Sequence, residues 1–298
     1  MSEGTIVKAL SGFFYVQDDE DKQIYECRGR GILKKNNVSP LVGDYVNYTS
    51  LPGNQGVIEE IKPRKNEFFR PKVANVDQVL LVFTHIEPAW NQRLLDRFIV
   101  MAESVDVEAV LVINKIDMLN QEQQLDMETN RQLYEGLGYR VILTSAESGD
   151  GKAELLDALK DKISMFSGQS GVGKSSLLNM LDPGLELKTG DISNKLKRGK
   201  HTTRHVELFP LANGGYVVDT PGFSQIDLSI IGDSSLIAKF FREINEVGEH
   251  CKYRGCTHTA EDSCKVIEYV EQGKIDAQRY KHYTELVEEI NDYNKNKY

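Results

Sequence analysis

The stretch Gly168-Gln169-Ser170-Gly171-Val172-Gly173-Lys174-Ser175 decides the fold of this 298-residue chain. It fits the pattern G-x-x-x-x-G-K-[ST] of a phosphate-binding loop. The glycines let successive backbone N–H groups point at phosphate oxygens, and the helix expected to begin near Lys174 directs its positive end at the same anion. We therefore predict a nucleotide site in which Lys174 reaches the β- and γ-phosphates, Ser175 binds Mg²⁺, and Ser176 is a further contact.

A second motif indicates which base is bound. Asn114-Lys115-Ile116-Asp117 follows an apolar strand at 109–113 and matches the N-K-x-D motif of GTPases. The Asp117 carboxylate can accept from the N1–H and the 2-amino group of guanine, whereas adenine lacks this pair of donors, which argues against an ATP-dependent kinase. We expect Asn114 to fix the loop and the stem of Lys115 to pack over the base.

The companion guanine motif is Thr144-Ser145-Ala146, at the end of the next predicted strand. We expect Ser145 and Ala146 to complete the base site, with the backbone N–H of Ala146 facing guanine O6.

The third motif, Asp219-Thr220-Pro221-Gly222, matches D-x-x-G. We predict that Asp219 holds Mg²⁺ through water and that the N–H of Gly222 senses the γ-phosphate. The basic segment 198–204, which precedes this motif, resembles switch I, and we predict that Thr203, rather than Thr202, closes on Mg²⁺. An ordinary basic loop is the alternative.

Many GTPases place a glutamine directly after D-x-x-G to orient the attacking water. Phe223 occupies that position here and cannot do so. His201, on the same basic segment as Thr203, is the candidate catalytic residue, together with Lys174. The alternative is a loop histidine without a catalytic role.

The order of these motifs is permuted. An ordinary GTPase has the phosphate loop first and the guanine motifs last, but here residues 114–117 and 144–146 precede residues 168–175. The same sheet can form from this order, and the chain then leaves it just after 219–222. The segment that follows is therefore tied directly to the switch that senses the γ-phosphate.

The remaining pattern predicts three domains. Residues 1–66 contain about five short strands separated by turn signals, which favours a small OB-like β-barrel, with a purely structural β domain as the alternative. Residues 67–228 alternate apolar strands with amphipathic helices, as expected for an α/β GTPase domain with a parallel sheet, and the proline-containing stretch 63–76 is expected to be a linker. Within this domain one helix is predicted at about 121–136. Residues 229–298 are predicted to be helical, with helices at about 236–245 and 274–293.

The predicted helical domain contains most of the cysteines. Three thiolates and an imidazole at Cys251, Cys256, His258 and Cys264 suit a closed tetrahedral site, so we predict one structural Zn²⁺. A redox role of the cysteines is the alternative.

Bulk properties narrow the class further. The net charge of −9 argues against a DNA partner. The chain lacks an apolar run near 18 residues and no signal pattern opens it, so we expect a cytoplasmic protein with no membrane partner. We also expect the protein to be monomeric when free. Two local basic clusters could nevertheless contact RNA phosphates, with solvated loops as the alternative: Lys62, Arg64, Lys65, Arg70 and Lys72, and Lys195, Lys197, Arg198, Lys200 and Arg204.

The whole chain resembles the family of ribosome small-subunit-dependent GTPase A, the circularly permuted bacterial GTPases of ribosome assembly. The OB-like N-terminus, the permuted motif order, the stretch Gly199-Lys200-His201-Thr202-Thr203 and the cysteine–histidine set carry the resemblance. It implies an enzyme that uses GTP/GDP, Mg²⁺ and one Zn²⁺, binds the 30S subunit and 16S rRNA, and couples subunit-stimulated GTP hydrolysis to late maturation. A GTP-binding RNA-binding assembly factor that does not hydrolyse GTP is the alternative, which Phe223 keeps open.

Overall fold

Five N-terminal strands close into a small barrel, as predicted. The structure is a computed structural model that describes residues 1–30, 39–69, 71–182, 184, 206–219 and 231–296. The barrel strands follow the order β1-β2-β3-β5-β4, with β1 also pairing with β4 and β3 running parallel to β5. This closed arrangement of five strands has the topology of an OB-fold. The strands are β1 Ser2–Leu10, β2 Phe13–Asp18, β3 Ile24–Gly29, β4 Tyr45–Leu51 and β5 Gln55–Ile61.

The segment expected to be a linker is an ordered ribbon. Strands β6 (Glu67–Phe69) and β7 (Lys72–Ala74) pair as an antiparallel hairpin, and the Ala74 N–H donates to the Val42 carbonyl over 2.9 Å. Val73, Ala74 and Val76 are fully buried. The prolines predicted a linker, but the burial of these apolar side chains stabilises a hydrogen-bonded hairpin there.

A predominantly parallel sheet follows and has the strand order that the permuted motifs require. Strand β11 lies at its centre, parallel to β8 on one side and β13 on the other, while β12 pairs antiparallel with β13. The order across the sheet is β10-β9-β8-β11-β13-β12. The strands are β8 Gln78–Phe83, β9 Glu108–Ile113, β10 Arg140–Leu143, β11 Ile163–Ser167, β12 Glu207–Pro210 and β13 Tyr216–Asp219.

Among the described residues, four α-helices connect these strands. They are α1 Gln92–Ser104, α2 Gln121–Gly136, α3 Lys152–Leu159 and α4 Lys174–Leu181. Apolar residues of α3 and α4, including Leu155, Leu159 and Leu177, pack with Leu80 and Val112 of the sheet in one buried cluster. This core fixes the ends of β9 and β11, from which the guanine motif and the phosphate loop extend.

The chain divides into two compact units. One contains residues 1–88, 110–119 and 142–224, and the other contains residues 89–109, 120–141 and 225–298. The predicted domain boundaries at 66/67 and 228/229 stay a prediction. No helix among the residues that the structure describes is long and apolar enough to cross a membrane.

The C-terminal region is helical, but its helices differ from the expected spans. The helix expected near 236–245 is a 3-10 helix, Ser234–Phe240, followed by α5, Arg242–Gly248. Sequence reasoning missed α6 (Lys265–Glu271), whose seven residues are too few for a clear apolar period. The last helix, α7 (Ala277–Lys295), begins where the Asp276 side chain accepts from the Arg279 N–H over 2.8 Å.

A buried charge network joins α1, α2, α5 and α7 inside the second unit. Asp96 and Arg279 are fully buried and form an ion pair, and Arg279 Nε also donates to Glu243 Oε1 over 2.6 Å. The Asp96 carboxylate further contacts the Tyr134 hydroxyl at 2.8 Å and His282 Nδ1 at 2.6 Å. Each charge therefore has a partner, which buried charges require.

Candidate functional site

The phosphate loop is held closed by its own lysine. Lys174 Nζ donates to the carbonyls of Gly168 and Gln169 over 2.8 and 2.7 Å, at the first turn of α4. Burial lowers the pKa of Lys174 to about 8. An anion bound at this position would stabilise the charged ammonium, so the loop is suited to phosphate.

The other residues of the loop divide between anchoring and exposed positions. Val172 is fully buried in the sheet core and fixes the loop to it, whereas Ser170 and Gly171 are exposed. Ser175 is 9% exposed on the first turn of α4, and Ser176 is half-buried beside it. The structure thus places the residues predicted to bind phosphate around one helix N-terminus.

Asn114 connects the guanine motif to the phosphate loop. It is 1% exposed, and its Nδ2 donates to the Val172 carbonyl over 2.8 Å. Its Oδ1 accepts from the Thr144 hydroxyl at 3.2 Å and from the Ala146 N–H at 3.3 Å. The phosphate loop and both guanine motifs therefore meet at the buried side-chain amide of Asn114. The Ala146 N–H donates to Asn114 Oδ1 in this structure, and its contact with guanine O6 stays a prediction.

The remaining guanine-motif residues differ in their exposure to solvent. Lys115 has a left-handed backbone and its Nζ donates to the Glu87 carbonyl over 2.7 Å. Asp117 is exposed in the 3-10 helix Ile116–Met118, and Ser145 is fully buried. Sequence reasoning missed Glu87, and no residue-type signal could have identified it, since only its backbone carbonyl takes part.

Three predicted site residues lie outside the described residues: His201, Thr203 and Gly222. Their neighbours Thr202 and Phe223 lie outside them too. The backbone of Asp219 is described at the end of β13, where it pairs with Glu207 of β12. Its strand is the parallel neighbour of β11, which leads into the phosphate loop. Parallel strands that adjoin in this way direct their following loops to the same edge of the sheet, as the predicted Mg²⁺ site requires.

The first basic cluster carries less free positive charge than its sequence suggests. Lys62 pairs with Glu3 at 2.7 Å and Lys65 with Asp77 at 3.5 Å. The guanidinium of Arg64 contacts the buried carboxylate of Asp44, with Nε 2.7 Å from Oδ1. These cations stabilise the folded barrel and ribbon. Arg70 and the whole second cluster, Lys195 to Arg204, lie outside the described residues.

A second constellation brings the four predicted zinc ligands together. The Sγ atoms of Cys251 and Cys264 are 3.8 Å apart, and they lie 3.5 and 3.4 Å from His258 Nδ1. With Cys256 Sγ included, all four ligand atoms lie within 4.8 Å of one another. Tetrahedral Zn²⁺ with bonds of about 2.3 Å to sulfur and about 2.0 Å to nitrogen separates sulfurs by about 3.8 Å and sulfur from nitrogen by about 3.5 Å. The donor set and its spacing therefore fit this ion.

Residues around this cluster hold its loop in place. Tyr280 and Tyr283 of α7 donate their hydroxyls to the carbonyls of His258 and Thr257. Glu261 accepts from the Thr257 hydroxyl at 2.6 Å and from the Thr259 N–H at 3.0 Å. Burial alone would raise the pKa of Glu261, but these and neighbouring hydrogen bonds lower it to about 2. Glu261 was not identified from the sequence, where it is one carboxylate in a polar loop.

Fold and site together define the class of protein. A phosphate loop follows the central strand, the guanine motif is bonded to that loop, and both guanine motifs precede it along the chain, so this is a circularly permuted P-loop GTPase. An OB-like barrel precedes the GTPase domain and a helical domain with a Cys₃His cluster follows it.

Comparison with known proteins identifies the family. The chain matches the family models for "RsgA GTPase" over residues 61–229 and "RsgA N-terminal domain" over residues 3–58, and the model "50S ribosome-binding GTPase" matches residues 164–298. The chain belongs to the RsgA GTPase family.

Related sequences and solved structures match this chain over nearly its whole length. "Small ribosomal subunit biogenesis GTPase RsgA" of Geobacillus sp. (strain WCH70) is 48% identical over 292 residues, and that of Bacillus subtilis (strain 168) is 47% identical over 296 residues; each alignment covers 98% of both chains. YjeQ from Thermotoga maritima superposes with a TM-score of 0.87 at 38% identity, covering 97% of this chain and 98% of that one. "YloQ, a circularly permuted GTPase" gives 0.85 at 41% identity, covering 98% and 96%.

Proposed function

We propose that this GTPase binds the small (30S) ribosomal subunit and couples GTP hydrolysis to late maturation of that subunit. The observation that carries the proposal is the bond between Asn114 and the phosphate loop, which joins guanine recognition to phosphate binding in a permuted sheet. The relatives' name, "Small ribosomal subunit biogenesis GTPase RsgA", supports the subunit as partner. The 16S rRNA is the proposed contact within the subunit, and the protein acts in the cytoplasm as a monomer when free.

The nucleotide site takes GTP with one Mg²⁺. Asp117 accepts from guanine, Lys174 binds the β- and γ-phosphates, and Ser175, Thr203 and Asp219 hold the metal. When bound, Mg²⁺ neutralises charge that develops on the phosphate oxygens. Support comes from the half-buried Lys174, whose pKa of about 8 a bound phosphate would raise by stabilising the ammonium, and from the position of β13 next to β11.

The Cys₃His cluster takes one structural Zn²⁺. The support is the agreement between the observed sulfur–sulfur and sulfur–nitrogen separations and those of a tetrahedral site. Four protein ligands leave no position for a substrate, so the ion stabilises the loop between α5 and α6 and takes no part in hydrolysis.

Catalysis requires a group to orient the attacking water, and we assign this role to His201. Phe223 cannot perform it, and His201 lies two residues before the threonine assigned to Mg²⁺. Docking on rRNA would neutralise the lysines and arginine of the segment 195–200 and bring His201 to the water. His201→Ala should then keep GTP and 30S binding but lose most of the stimulated turnover. Equal stimulated rates for mutant and wild type would show that the ribosome supplies the catalytic group.

Co-sedimentation tests the proposed partner directly. The protein is mixed with 30S, 50S or 70S particles in the presence of GDP or a non-hydrolysable GTP analogue. We expect binding to 30S that is stronger with the analogue than with GDP. Binding to 50S particles alone would contradict the proposal and would instead match the description of the family model over residues 164–298.

A further inference from the structure

Strand β1 connects the barrel strands to the strands of the GTPase domain within one continuous sheet. Its first half, Ser2–Thr5, pairs with β4 and closes the barrel. The pairing of β1 with β2 then shifts register between Ile6 and Lys8, and Lys8 pairs with Glu207 of β12. An irregularity of this kind bends a strand and re-aims the residues beyond it. The barrel sheet therefore continues into the GTPase sheet.

The residue that β1 contacts is also the partner of Asp219. Glu207 lies opposite Lys8 on one side and opposite Asp219 on the other. Neighbouring strands are about 4.8 Å apart, so two strand spacings, about 10 Å, separate the backbone of Lys8 from that of Asp219. Lys8 of the barrel and Asp219, the proposed metal ligand, thus lie in register on either side of Glu207.

Side chains tie both strands of the β12–β13 hairpin to the barrel. Lys8 Nζ contacts both carboxylate oxygens of Glu207 at 3.0 Å, and about one third of each side chain is exposed. On the other strand, the Tyr216 hydroxyl donates to Gln17 Oε1 of β2 over 2.8 Å. This hairpin is also the segment that lies between Thr203 and Asp219 in the chain.

We infer that the barrel positions the metal-binding strand of the GTPase site, through the Lys8–Glu207 and Gln17–Tyr216 contacts. Lys8 and Tyr216 are positioning residues, because they act on Asp219 through the register of the hairpin. Whatever the barrel binds is then coupled to the nucleotide site without passing through another domain. This inference rests on the assignment of Asp219 to Mg²⁺ in the proposed function.

The variants Lys8→Met and Tyr216→Phe test the inference, with Lys8→Arg as the conservative variant. Arg30→Met is the matched control, because Arg30 forms an ion pair with Glu59 in the same barrel, at the end of β3, and neither β3 nor β5 is a neighbour of the hairpin strands. The readouts are the Mg²⁺ concentration that half-maximally retains fluorescent GDP, hydrogen exchange of residues 206–219, and thermal unfolding.

We expect Lys8→Met to raise the half-maximal Mg²⁺ concentration about two- to fivefold, the range that corresponds to one partly exposed ion pair. Exchange of the hairpin amides should become faster, while the unfolding temperature stays that of the Arg30→Met control. Tyr216→Phe should also raise the half-maximal Mg²⁺ concentration and speed the exchange of the hairpin amides. Lys8→Arg should keep the wild-type values of both.

Two results with the barrel variants would overturn the inference. One is an unchanged Mg²⁺ requirement in Lys8→Met, and the other is an equal change in Arg30→Met, which would indicate a general loss of barrel stability. These measurements need no ribosome, so they remain informative if the 30S co-sedimentation fails. If Asp219→Ala leaves the Mg²⁺ requirement unchanged, the metal assignment itself is wrong and the inference fails with it.

Discussion

Replacing Gly173 with alanine should weaken nucleotide binding far more than the same replacement at Gly171. Both glycines lie in the phosphate loop with positive φ, 96° and 88°, so alanine suffers a similar backbone strain of about 1–2 kcal/mol at each. The surroundings differ. A Cβ on Gly173 would lie 2.3 Å from Asn114 Nδ2, whereas the nearest atom to a Cβ on Gly171 is Pro88 Cδ at 3.8 Å.

The difference in GDP affinity between the two variants measures the contribution of the hydrogen bonds that Asn114 makes to the phosphate loop and the second guanine motif. We call this set of hydrogen bonds the Asn114 bridge. Asn114 must move to relieve the contact, and it makes three hydrogen bonds, to Val172, Thr144 and Ala146. At about 1 kcal/mol for each net hydrogen bond, the loss is about 1–3 kcal/mol, or about 5- to 150-fold in affinity for GDP. The effect should be equal for GTP and GDP, because the bridge orders the site before either nucleotide binds.

The assay is anisotropy of fluorescent GDP with each variant, accompanied by thermal unfolding without nucleotide. Asn114→Ala should reproduce most of the loss seen in Gly173→Ala, and the double variant should be little worse than either one, since both remove the same bridge. If Gly171→Ala and Gly173→Ala lose affinity equally, backbone strain explains the result and the bridge has no separate role.

Three further predictions address other parts of the molecule. Asp117→Asn should lose preference for GTP over ATP in a competition assay, because an amide cannot accept from both guanine donors and one charged hydrogen bond contributes about 1.5–3 kcal/mol; unchanged discrimination would remove Asp117 from the base site. Cys256→Ser should release zinc and loosen the helical domain while GTP binding is largely retained. Metal analysis and nucleotide titration check these two effects together, and a wild-type protein that contains no zinc after purification without chelator would contradict the prediction. Arg279→Met should lower the free energy of unfolding by about 3–5 kcal/mol in urea titrations, because Asp96 and Glu243 would stay buried without their cation; a loss below about 1 kcal/mol would show that the network relaxes or hydrates.

Local sequence signals predicted much of this molecule because each reflects a local physical requirement. The phosphate loop needs glycines and a following helix, and the structure has that helix at Lys174–Leu181. The predicted helix at about 121–136 is observed as Gln121–Gly136, where Asn120 and Gln123 form a capping box. The three thiol and one imidazole ligands lie together as expected.

Other features depend on contacts that no local pattern encodes. Strands β6 and β7 form where the prolines predicted a linker, because Val73 and Ala74 are buried and Ala74 bonds to Val42 beside the barrel. The pairing of Lys8 with Glu207 joins residues 199 positions apart, and the buried partners of Arg279 come from two other helices. Such long-range pairings follow from the closed topology and are visible only once it is known.

Multiple-turnover phosphate release, with and without 30S subunits, tests whether this protein is a GTPase that the 30S subunit stimulates. The wild-type protein, GTP and Mg²⁺ are combined with no particles, with 30S subunits or with 50S subunits. We predict slow phosphate release by the free protein, because Phe223 leaves it without a water-orienting side chain next to D-x-x-G. We predict strong acceleration of release by 30S subunits and little by 50S subunits. No phosphate release above the particle background with 30S would contradict it and would leave a GTP-binding assembly factor that does not hydrolyse its ligand.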